Sequence, residues 1–313
     1  MTERRMILGA MYFGTRLDEA SSMALLDRFV DQGGTWIDTA NNYAFWADPS
    51  GIGGQSEALI GRWLASRPGV RERVRISTKV RYQPTVPGRW PESSEGLSGP
   101  VIRNAVQESL KRLNTDRIDL YWAHGEDRTV ALDETVAAFG ELVRDGVVAR
   151  LGASNHMTWS VERARQLARQ QGIEGYTALQ LRWSYVQPRP GAELPDQGHQ
   201  LLSPEALDYA RVEPGLAVWA YTPLINGAYT RSDRPLPEVY DHPGTERRLA
   251  VLTRVADELG VTRNQVVLAW MATGDPAVTP IVGVSTPEQL DEALQADQVT
   301  LSSDQRRQLD EVA

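Results

Sequence analysis

Short apolar segments alternate with longer amphipathic segments along the chain, and this alternation limits the possible folds more than any other feature of the sequence. The apolar segments, which we predict to be β-strands, are 6–9, 35–38, 74–79, 118–123, 149–154, 177–182, 216–221 and 279–282. The amphipathic segments, which we predict to be helices, are 18–32, 55–66, 101–113, 132–145, 159–171, 246–259, 263–272 and 303–312. Such alternation is typical of a parallel sheet covered by crossover helices.

Eight strands in 313 residues, with no linker between them, predict one α/β domain over residues 1–313, a single (β/α)8 TIM barrel. The alternative is an open, doubly wound sheet, which would need a glycine-rich phosphate loop after the first strand. The segment there, LGAMYFG, lacks the GxGxxG pattern, so the barrel is favoured. Its active site would lie at the carboxyl ends of the strands, where the irregular stretches 44–53, 82–99, 187–215 and 222–244 are also expected.

Composition excludes several classes of partner and site. The net charge of −8 disfavours a nucleic-acid partner, because phosphate backbones attract basic surfaces. The absence of cysteine excludes disulfides, zinc–thiolate sites and cysteine nucleophiles, and no other metal site is indicated. No apolar segment is long enough to cross a bilayer, and the N-terminus, MTERRMILGAMYFG, lacks the features of a signal peptide. We therefore expect a cytoplasmic protein without a membrane partner, and nothing in the sequence indicates its oligomeric state.

Four polar residues fall at or near the ends of three consecutive predicted strands. Asp38 ends the second strand and Lys79 ends the third. His124 follows the fourth strand, and Tyr43 lies in the loop after Asp38. Neighbouring strands are about 5 Å apart, so these side chains should meet at one sector of the rim. Taken singly, each has a structural interpretation, as a turn residue, a solvated charge, a structural histidine or a packing aromatic, but their convergence favours a catalytic group.

This group suits proton transfer to a carbonyl oxygen. A free tyrosine has a pKa of about 10, which is high for a proton donor near neutrality, and a nearby ammonium would lower it. We therefore expect Lys79 to lower the pKa of Tyr43, while Asp38 holds Lys79 charged and oriented. His124 would donate a hydrogen bond to the carbonyl oxygen and fix its direction. As a rim charge, Lys79 is expected to contribute little to stability.

These motifs, and others along essentially the whole chain, resemble those of the aldo-keto reductases. GGTWIDTANNY, ISTKV and DLYWAH resemble the family's catalytic segments, and GGQSEALIGRWL, DGVVARLGASNH, ALQLRWS and WAYTPL resemble further family segments. The resemblance implies NAD(P)H-dependent reduction of an aldehyde or ketone to an alcohol, by hydride transfer from nicotinamide. It implies a catalytic tetrad, with Tyr43 as the proton donor, made of Asp38, Tyr43, Lys79 and His124.

The resemblance also implies which residues bind the cofactor. Ser154, Asn155 and Gln180 would hydrogen-bond the nicotinamide carboxamide, and Tyr221 would stack on the nicotinamide ring. The positions implied around the ribose, the pyrophosphate and the adenosine are Gly9, Ala10, Met11, Asp38, Thr222, Leu224, Gly283, Ser285, Thr286, Gln289 and Glu292. The structural alternatives are a helix N-cap for Ser154 and Asn155, and barrel packing for Gln180 and Tyr221.

One segment departs from the family pattern. After the eighth strand the chain reads VGVSTPEQLDEAL, with Ser285 where a lysine or arginine often grips the 2′-phosphate of NADPH. Gln289 stands where an arginine is common. Arg231 and Arg234, in the preceding loop, are the cations that could replace them. The resemblance implies NADP (NADPH) as the cofactor, and the departure implies that NADH is tolerated.

Loops, rather than the barrel itself, should select the small-molecule carbonyl substrate. Trp46 and Trp90 lie in two of the irregular stretches, and together with Tyr12 they are expected to line the substrate site, unless they only pack within their loops. They would suit an aromatic or polycyclic carbonyl. The tryptophans within regular elements, at 36, 63, 122, 219 and 270, are expected in the core.

Two other functions stay open. One is a nucleotide-sensing regulatory partner of the same fold with little turnover. The other is a TIM-barrel hydrolase that uses paired carboxylates or a metal. The rim offers one obvious carboxylate and one obvious histidine, which is few for a hydrolase of either kind.

Overall fold

The computed structural model describes residues 4–194, 198–213 and 215–312. Its strands are β1 (Ile7–Gly9), β2 (Trp36–Asp38), β3 (Arg75–Val80), β4 (Leu120–Ala123), β5 (Leu151–Ser154), β6 (Tyr176–Arg182), β7 (Ala217–Tyr221) and β8 (Val278–Gly283). They pair in chain order, all parallel, and β8 pairs with β1 to close the barrel. The predicted barrel is confirmed, and each predicted strand has an observed counterpart whose ends differ by no more than two residues.

Helices follow the strands and form the outer layer. They are α1 (Glu19–Asp31), α2 (Gln55–Ser66), α3 (Gly99–Leu113), α4 (Leu132–Arg144), α5 (Thr158–Gln170), α6 (Pro204–Val212), α7 (Pro243–Leu259), α8 (Arg263–Ala272), α9 (Pro287–Gln295) and α10 (Ser303–Asp310). None of these described helices is both long and apolar enough to span a membrane.

Two of the helices, α6 and α9, are absent from the predicted set. α6 lies within the stretch 187–215 that was expected to be irregular, of which 195–197 and 214 lie outside the described residues. Both helices begin with a proline after a capping side chain: Ser203 accepts from the Ala206 N–H, and Thr286 accepts from the Gln289 N–H. The irregular prediction was wrong because a nine-residue helix is too short for its amphipathic pattern to stand out.

The barrel interior beneath the rim is filled by an aromatic layer. Trp219 packs edge-to-face against Trp36 and Trp122, with ring centroids 5.0 and 5.1 Å apart. Trp122 fits because its neighbour on β5 is Gly152, where a Cβ atom would overlap the indole ring. This layer, completed by Ile7, Leu120, Ala178 and Ile281, forms an apolar floor under the carboxyl ends of the strands.

A second core lies between the barrel and the helices. In α2, Leu59, Ile60 and Trp63 are fully buried, at the three- and four-residue spacing of one helical face. The Trp63 indole N–H donates to Asp27 at 2.8 Å. All five tryptophans that the sequence assigns to the core are buried, so that prediction is confirmed.

Candidate active site

A buried ion pair joins the ends of β2 and β3. Lys79 Nζ donates to Asp38 Oδ2 at 2.6 Å and to the Thr39 carbonyl oxygen at 2.7 Å. Ser77 Oγ donates to the other Asp38 oxygen at 2.6 Å. The Lys79 side chain is 0% exposed, so its expected position as a solvated rim charge is wrong. Burial lowers the pKa of Lys79, and the Asp38 carboxylate opposes that shift.

Tyr43 and His124 lie beside this ion pair. Lys79 Nζ is 4.7 Å from the centroid of the Tyr43 ring, and the Tyr43 and His124 rings are 5.8 Å apart. The structure therefore brings the four residues of the expected tetrad into one cluster at the carboxyl face of the barrel. Their individual roles are taken up below as a proposal.

The pKa of Tyr43 differs from the sequence-based expectation. Burial raises the pKa of Tyr43 well above its usual value, and the Asp38 carboxylate raises it further. The expected lowering by Lys79 is wrong for the protein alone, because Asp38 already neutralises the ammonium and burial disfavours the phenolate. Tyr43 is therefore a neutral phenol at neutral pH, which is the form that holds a proton to donate.

His124 is neutral as well. Burial lowers the pKa of His124 well below its usual value, and the Lys79 charge lowers it further. Its Nδ1 atom is buried and has no hydrogen-bond partner among the described residues. The Tyr82 ring packs against it, with centroids 5.5 Å apart. A neutral imidazole retains one N–H, which can donate to a carbonyl oxygen.

Asn155, directly after β5, connects three strands at the rim. Its amide nitrogen donates to the His124 carbonyl oxygen at 3.1 Å. Its amide oxygen accepts from the Tyr221 hydroxyl at 2.7 Å and from the Gln200 N–H at 3.1 Å. The loop that follows β6 therefore closes over this part of the rim, a contact that the sequence did not predict.

Ser154 and Gln180 lie next to each other in the β5–β6 ladder. The Gln180 amide donates to Asp38 at 3.3 Å, so the predicted carboxamide-binding residues border the buried ion pair. Ser154 and Asn155 are not the N-cap of the following helix, because α5 begins after Met157. That structural alternative is wrong.

Backbone strain is concentrated at this face. Six of the seven described non-glycine residues with positive φ follow barrel strands there: Arg81, Tyr82, Asn155, Thr222, Ile225 and Asn226. A left-handed conformation costs a non-glycine residue about 1–2 kcal/mol, and such residues cluster at functional sites.

The segment around the start of α9 contains no cation. The Ser285 N–H donates to Gln289 Oε1 at 2.8 Å, and the Gln289 N–H donates to Thr286 Oγ1 at 3.3 Å. Gln289 is thus folded back onto its own helix start. Arg231, a candidate replacement, pairs instead with Asp233 at 2.6 Å.

Glu292, on α9, contacts the beginning of α8. It accepts from Thr262 Oγ1 at 2.6 Å and from the Asn264 amide at 3.3 Å. The Asn264 amide oxygen is buried without a partner among the described residues. An unpaired acceptor beside a carboxylate suits the exocyclic amine of a base, and Asn264 is a residue that the sequence-based prediction missed.

The remaining predicted cofactor residues lie along β1, β7 and β8. Gly9 of β1 pairs with Gly283 of β8, and the Ala10 carbonyl oxygen accepts from Ser56 at 2.7 Å. Met11 is partly exposed just after Ala10. The turn after β7 is held by a hydrogen bond from the Ile225 N–H to the Thr222 carbonyl oxygen at 3.2 Å, and it contains Leu224.

An aromatic cluster lies in the loops that follow β1, β2 and β3. The Tyr12 and Trp46 rings are 6.4 Å apart, and Phe45 lies 5.0 Å from Trp46 and 5.6 Å from Trp90. Trp46 is 45% exposed and Trp90 36% exposed, so both present apolar surface to solvent. The three predicted lining residues therefore come together, with Phe45, which the prediction missed although it adjoins Trp46 in sequence.

The model of the Aldo/keto reductase family matches residues 5–313 of this chain. The chain belongs to the aldo/keto reductase family. The family resemblance stated from the motifs is therefore confirmed. As a family member the chain is an oxidoreductase that reduces carbonyl compounds, and aldo/keto reductases generally use nicotinamide cofactors.

Several individual proteins are similar along most of the chain. Uncharacterized oxidoreductase YrpG of Bacillus subtilis is 33% identical over 98% of this chain and 91% of its own length. Norsolorinic acid reductase B of Aspergillus parasiticus is 34% identical over 90% of this chain and 74% of its own length. Aryl-alcohol dehydrogenase GME11368 of Pestalotiopsis microspora is 30% identical over 91% of this chain and 71% of its own length. Among solved structures, the thermostable aldo-keto reductase Tm1743 in complex with the inhibitor epalrestat has a TM-score of 0.74 at 26% identity, covering 99% of this chain and 95% of that one.

Proposed function

We propose that the chain is an NADPH-dependent reductase of aromatic aldehydes or ketones, with Tyr43 as the proton donor. The observation that carries the proposal is the cluster in which Lys79 Nζ lies 2.6 Å from Asp38 and 4.7 Å from the Tyr43 ring. We further propose that residues 1–313 act as one domain in the cytoplasm.

When bound, the nicotinamide supplies the hydride. Ser154, Asn155 and Gln180 would hold its carboxamide, and the Tyr221 ring would lie against its face. The unpartnered buried acceptor of Asn264 supports a base near the starts of α8 and α9. These observations fit a nicotinamide nucleotide.

The protein's own residues manage the proton. His124, as a neutral imidazole, donates a hydrogen bond to the carbonyl oxygen and orients it. Tyr43 transfers its proton to that oxygen as negative charge develops there. Burial opposes the phenolate left behind, so the ammonium of Lys79 acts by stabilising it, and Asp38 keeps Lys79 charged and in place.

The substrate class follows from the aromatic cluster. Phe45, Trp46 and Trp90 offer edge and face contacts to a planar ring. The names of two relatives, a norsolorinic acid reductase and an aryl-alcohol dehydrogenase, support an aromatic carbonyl compound as the substrate of this chain.

The experiment compares Tyr43→Phe with wild type, using benzaldehyde and NADPH. We expect Tyr43→Phe to lose NADPH oxidation by orders of magnitude, while NADPH still quenches tryptophan fluorescence at nearly the wild-type dissociation constant. This is because the proton donor acts mainly in the transition state. Tyr176→Phe is the matched control, since the Tyr176 hydroxyl is buried at the start of β6 without a partner among the described residues.

Two outcomes would contradict the proposal. Wild-type turnover in Tyr43→Phe would remove Tyr43 from the mechanism. NADPH binding by the wild type without reduction of any aromatic carbonyl would instead favour the nucleotide-sensing function.

A further inference from the structure

The two residues that follow β3 adopt an unusual backbone conformation. Arg81 has φ 95° and Tyr82 has φ 72°, both in the left-handed region. The Arg81 N–H donates to Glu95 Oε1 at 2.9 Å, which holds the turn in place. Two consecutive strained residues directly after the strand that carries Lys79 indicate that the direction of their side chains matters.

The Tyr82 ring is fixed beside the tetrad. It packs on His124 with centroids 5.5 Å apart. A Cβ atom at Gly125 would overlap the Tyr82 hydroxyl, and one at Gly198 would lie 3.3 Å from it. Two glycine backbones therefore enclose the hydroxyl, and the ring becomes part of the wall next to His124.

The Arg81 side chain lies along this wall. Its guanidinium carbon is 4.6 Å from the centroid of the Tyr82 ring, and Nη1 donates to the Tyr82 hydroxyl at 3.0 Å. The side chain is half-buried, and Arg81 takes part in no ion pair with a carboxylate of the described residues. By contrast, Arg71 and Arg112, on neighbouring elements, pair with Asp119 and Glu57 at 2.8 and 2.7 Å.

The nearby carboxylates make no direct contact with the Arg81 guanidinium. Glu95 accepts from the Arg81 backbone N–H. Asp127 accepts from the Leu97 N–H at 2.8 Å and from Thr129 Oγ1 at 2.6 Å. Burial raises the pKa of Asp127, these hydrogen bonds lower it, and the Arg81 charge lowers it further, so the two charges attract each other at longer range. A half-buried guanidinium without a direct ion pair retains its capacity for a bidentate partner.

The charge of Arg81 acts on the substrate side of the site. Burial and the Lys79 charge are larger causes, but Arg81 also lowers the pKa of His124. It directly follows β3, at the start of the loop that contains Trp90, whereas most of the expected nucleotide residues lie in or after β5 to β8. The protein as a whole carries a net charge of −8, so an anion needs a local cation to bind here.

We propose that Arg81, held by Tyr82, binds a carboxylate group of the substrate. This contact rests on the proposed function, and it narrows the substrate class to aromatic aldehydes or ketones that carry a carboxylate on the ring. The guanidinium fork binds the carboxylate, the aromatic cluster binds the ring, and the carbonyl oxygen reaches Tyr43 and His124.

The test compares meta- and para-formylbenzoate with the corresponding formylbenzamides, which have the same shape but no charge. We expect the wild type to prefer the benzoate of at least one isomer by about tenfold to a hundredfold in kcat/KM, the scale of hydrogen bonds to charged groups. Arg81→Gln should abolish this preference mainly through KM, because the contact is present in ground state and transition state alike. Arg89→Gln, which removes an exposed charge from the same loop, should keep it.

Equal kcat/KM for benzoates and benzamides in the wild type, or equal losses in Arg81→Gln and Arg89→Gln, would overturn the proposal. Should Arg81→Gln not fold, Arg81→Lys carries the test. That variant keeps the charge but loses the planar fork, so the preference should fall severalfold, and an unchanged preference would overturn the proposal.

A binding measurement separates this proposal from the proposed function. Isophthalate and terephthalate have no aldehyde or ketone group to reduce, and their binding can be measured by calorimetry in wild type and Arg81→Gln. Binding that depends on Arg81, without reduction of any aldehyde, would support the anion site and overturn the proposed reductase function. Reduction of the benzamides, with no effect of Arg81→Gln on either measurement, would support the reductase and overturn the anion site.

Discussion

The ion pair between Lys79 and Asp38 links catalysis to stability at the level of single residues. We expect Lys79→Met to lower turnover by orders of magnitude and also to lower the free energy of unfolding by about 3–5 kcal/mol. The reason is that Asp38 would remain buried without its counterion, with only the neutral donors Ser77 and Gln180. Denaturant unfolding and kcat measure the two effects.

The double variant Asp38→Asn/Lys79→Met provides the control for this prediction. It removes both charges, so it should recover part of the lost stability without recovering turnover. An unfolding free energy of Lys79→Met equal to that of the wild type would show that the pair contributes nothing net to the fold.

At the scale of single residues, the members of the tetrad were easier to predict than the surroundings that set their pKa values. The positions of Asp38, Tyr43 and Lys79 follow from strand ends, because neighbouring parallel strands place their carboxyl ends side by side. The pKa of Tyr43 does not follow, since it depends on burial and on the charge already neutralised by Asp38. The burial and ion pairing of Arg81, on which the proposed anion site depends, are likewise tertiary properties that no local pattern records.

At the scale of single elements, we expect the segment that leads into α9 to influence the choice between NADPH and NADH. Ser285→Arg, two residues before the first residue of α9, should raise NADPH affinity about tenfold and leave NADH affinity nearly unchanged, because it adds one charge-assisted contact for the 2′-phosphate. The measurement is the pair of dissociation constants at fixed ionic strength. Ser303→Arg, the same change at the first residue of α10, is the control and should alter neither constant.

The wild-type constants test the placement of this site. We expect a modest preference for NADPH, since Gln289 offers only a neutral side chain and is folded back on Ser285. A preference of a thousandfold or more, well above the scale of one such contact, would mean that another cation, such as Arg234, holds the phosphate.

End signals located an element only where the amphipathic pattern was also long enough to recognise, since α6 and α9 were missed although each begins with a capping side chain and a proline. α8 has the predicted bounds 263–272, because Thr262 and Gln265 form a capping box at its start. The loop after β6 was expected only to be irregular. Its position over the rim depends on the hydrogen bond from the Gln200 N–H to Asn155, which joins residues far apart in sequence.

At the scale of the whole molecule, closure of the barrel follows from the number of predicted strands. The arrangement of charged groups at its rim does not follow from the sequence pattern. The apolar floor of Trp36, Trp122 and Trp219 removes water from beneath the tetrad. The fold buries ionisable groups, His124 of the tetrad among them, and the stability of the fold therefore depends on pH.

Two buried histidines give this pH dependence its direction. Burial lowers the pKa of His156 to about 4, with the Ser154 carbonyl and the Glu126 charge opposing the shift, and it also lowers the pKa of His124. Unfolded histidine titrates near pH 6.5, so below that pH the unfolded chain binds more protons than the fold. Stability is therefore fully present above about pH 6.5 and falls toward pH 4, by about 1.4 kcal/mol per pH unit for each histidine.

We expect His156→Asn to reduce the slope of unfolding free energy against pH by the contribution of one histidine, about 1.4 kcal/mol per pH unit. The asparagine amide can still donate to the Ser154 carbonyl oxygen, which His156 Nδ1 contacts at 2.7 Å, but it does not titrate. The measurement is the free energy of unfolding between pH 7 and pH 4.5 for wild type and variant. Carboxylates other than Glu126 contribute equally to both curves, so the difference between the slopes reports on His156 together with its interaction with Glu126. Equal slopes would mean that folding does not lower the pKa of His156.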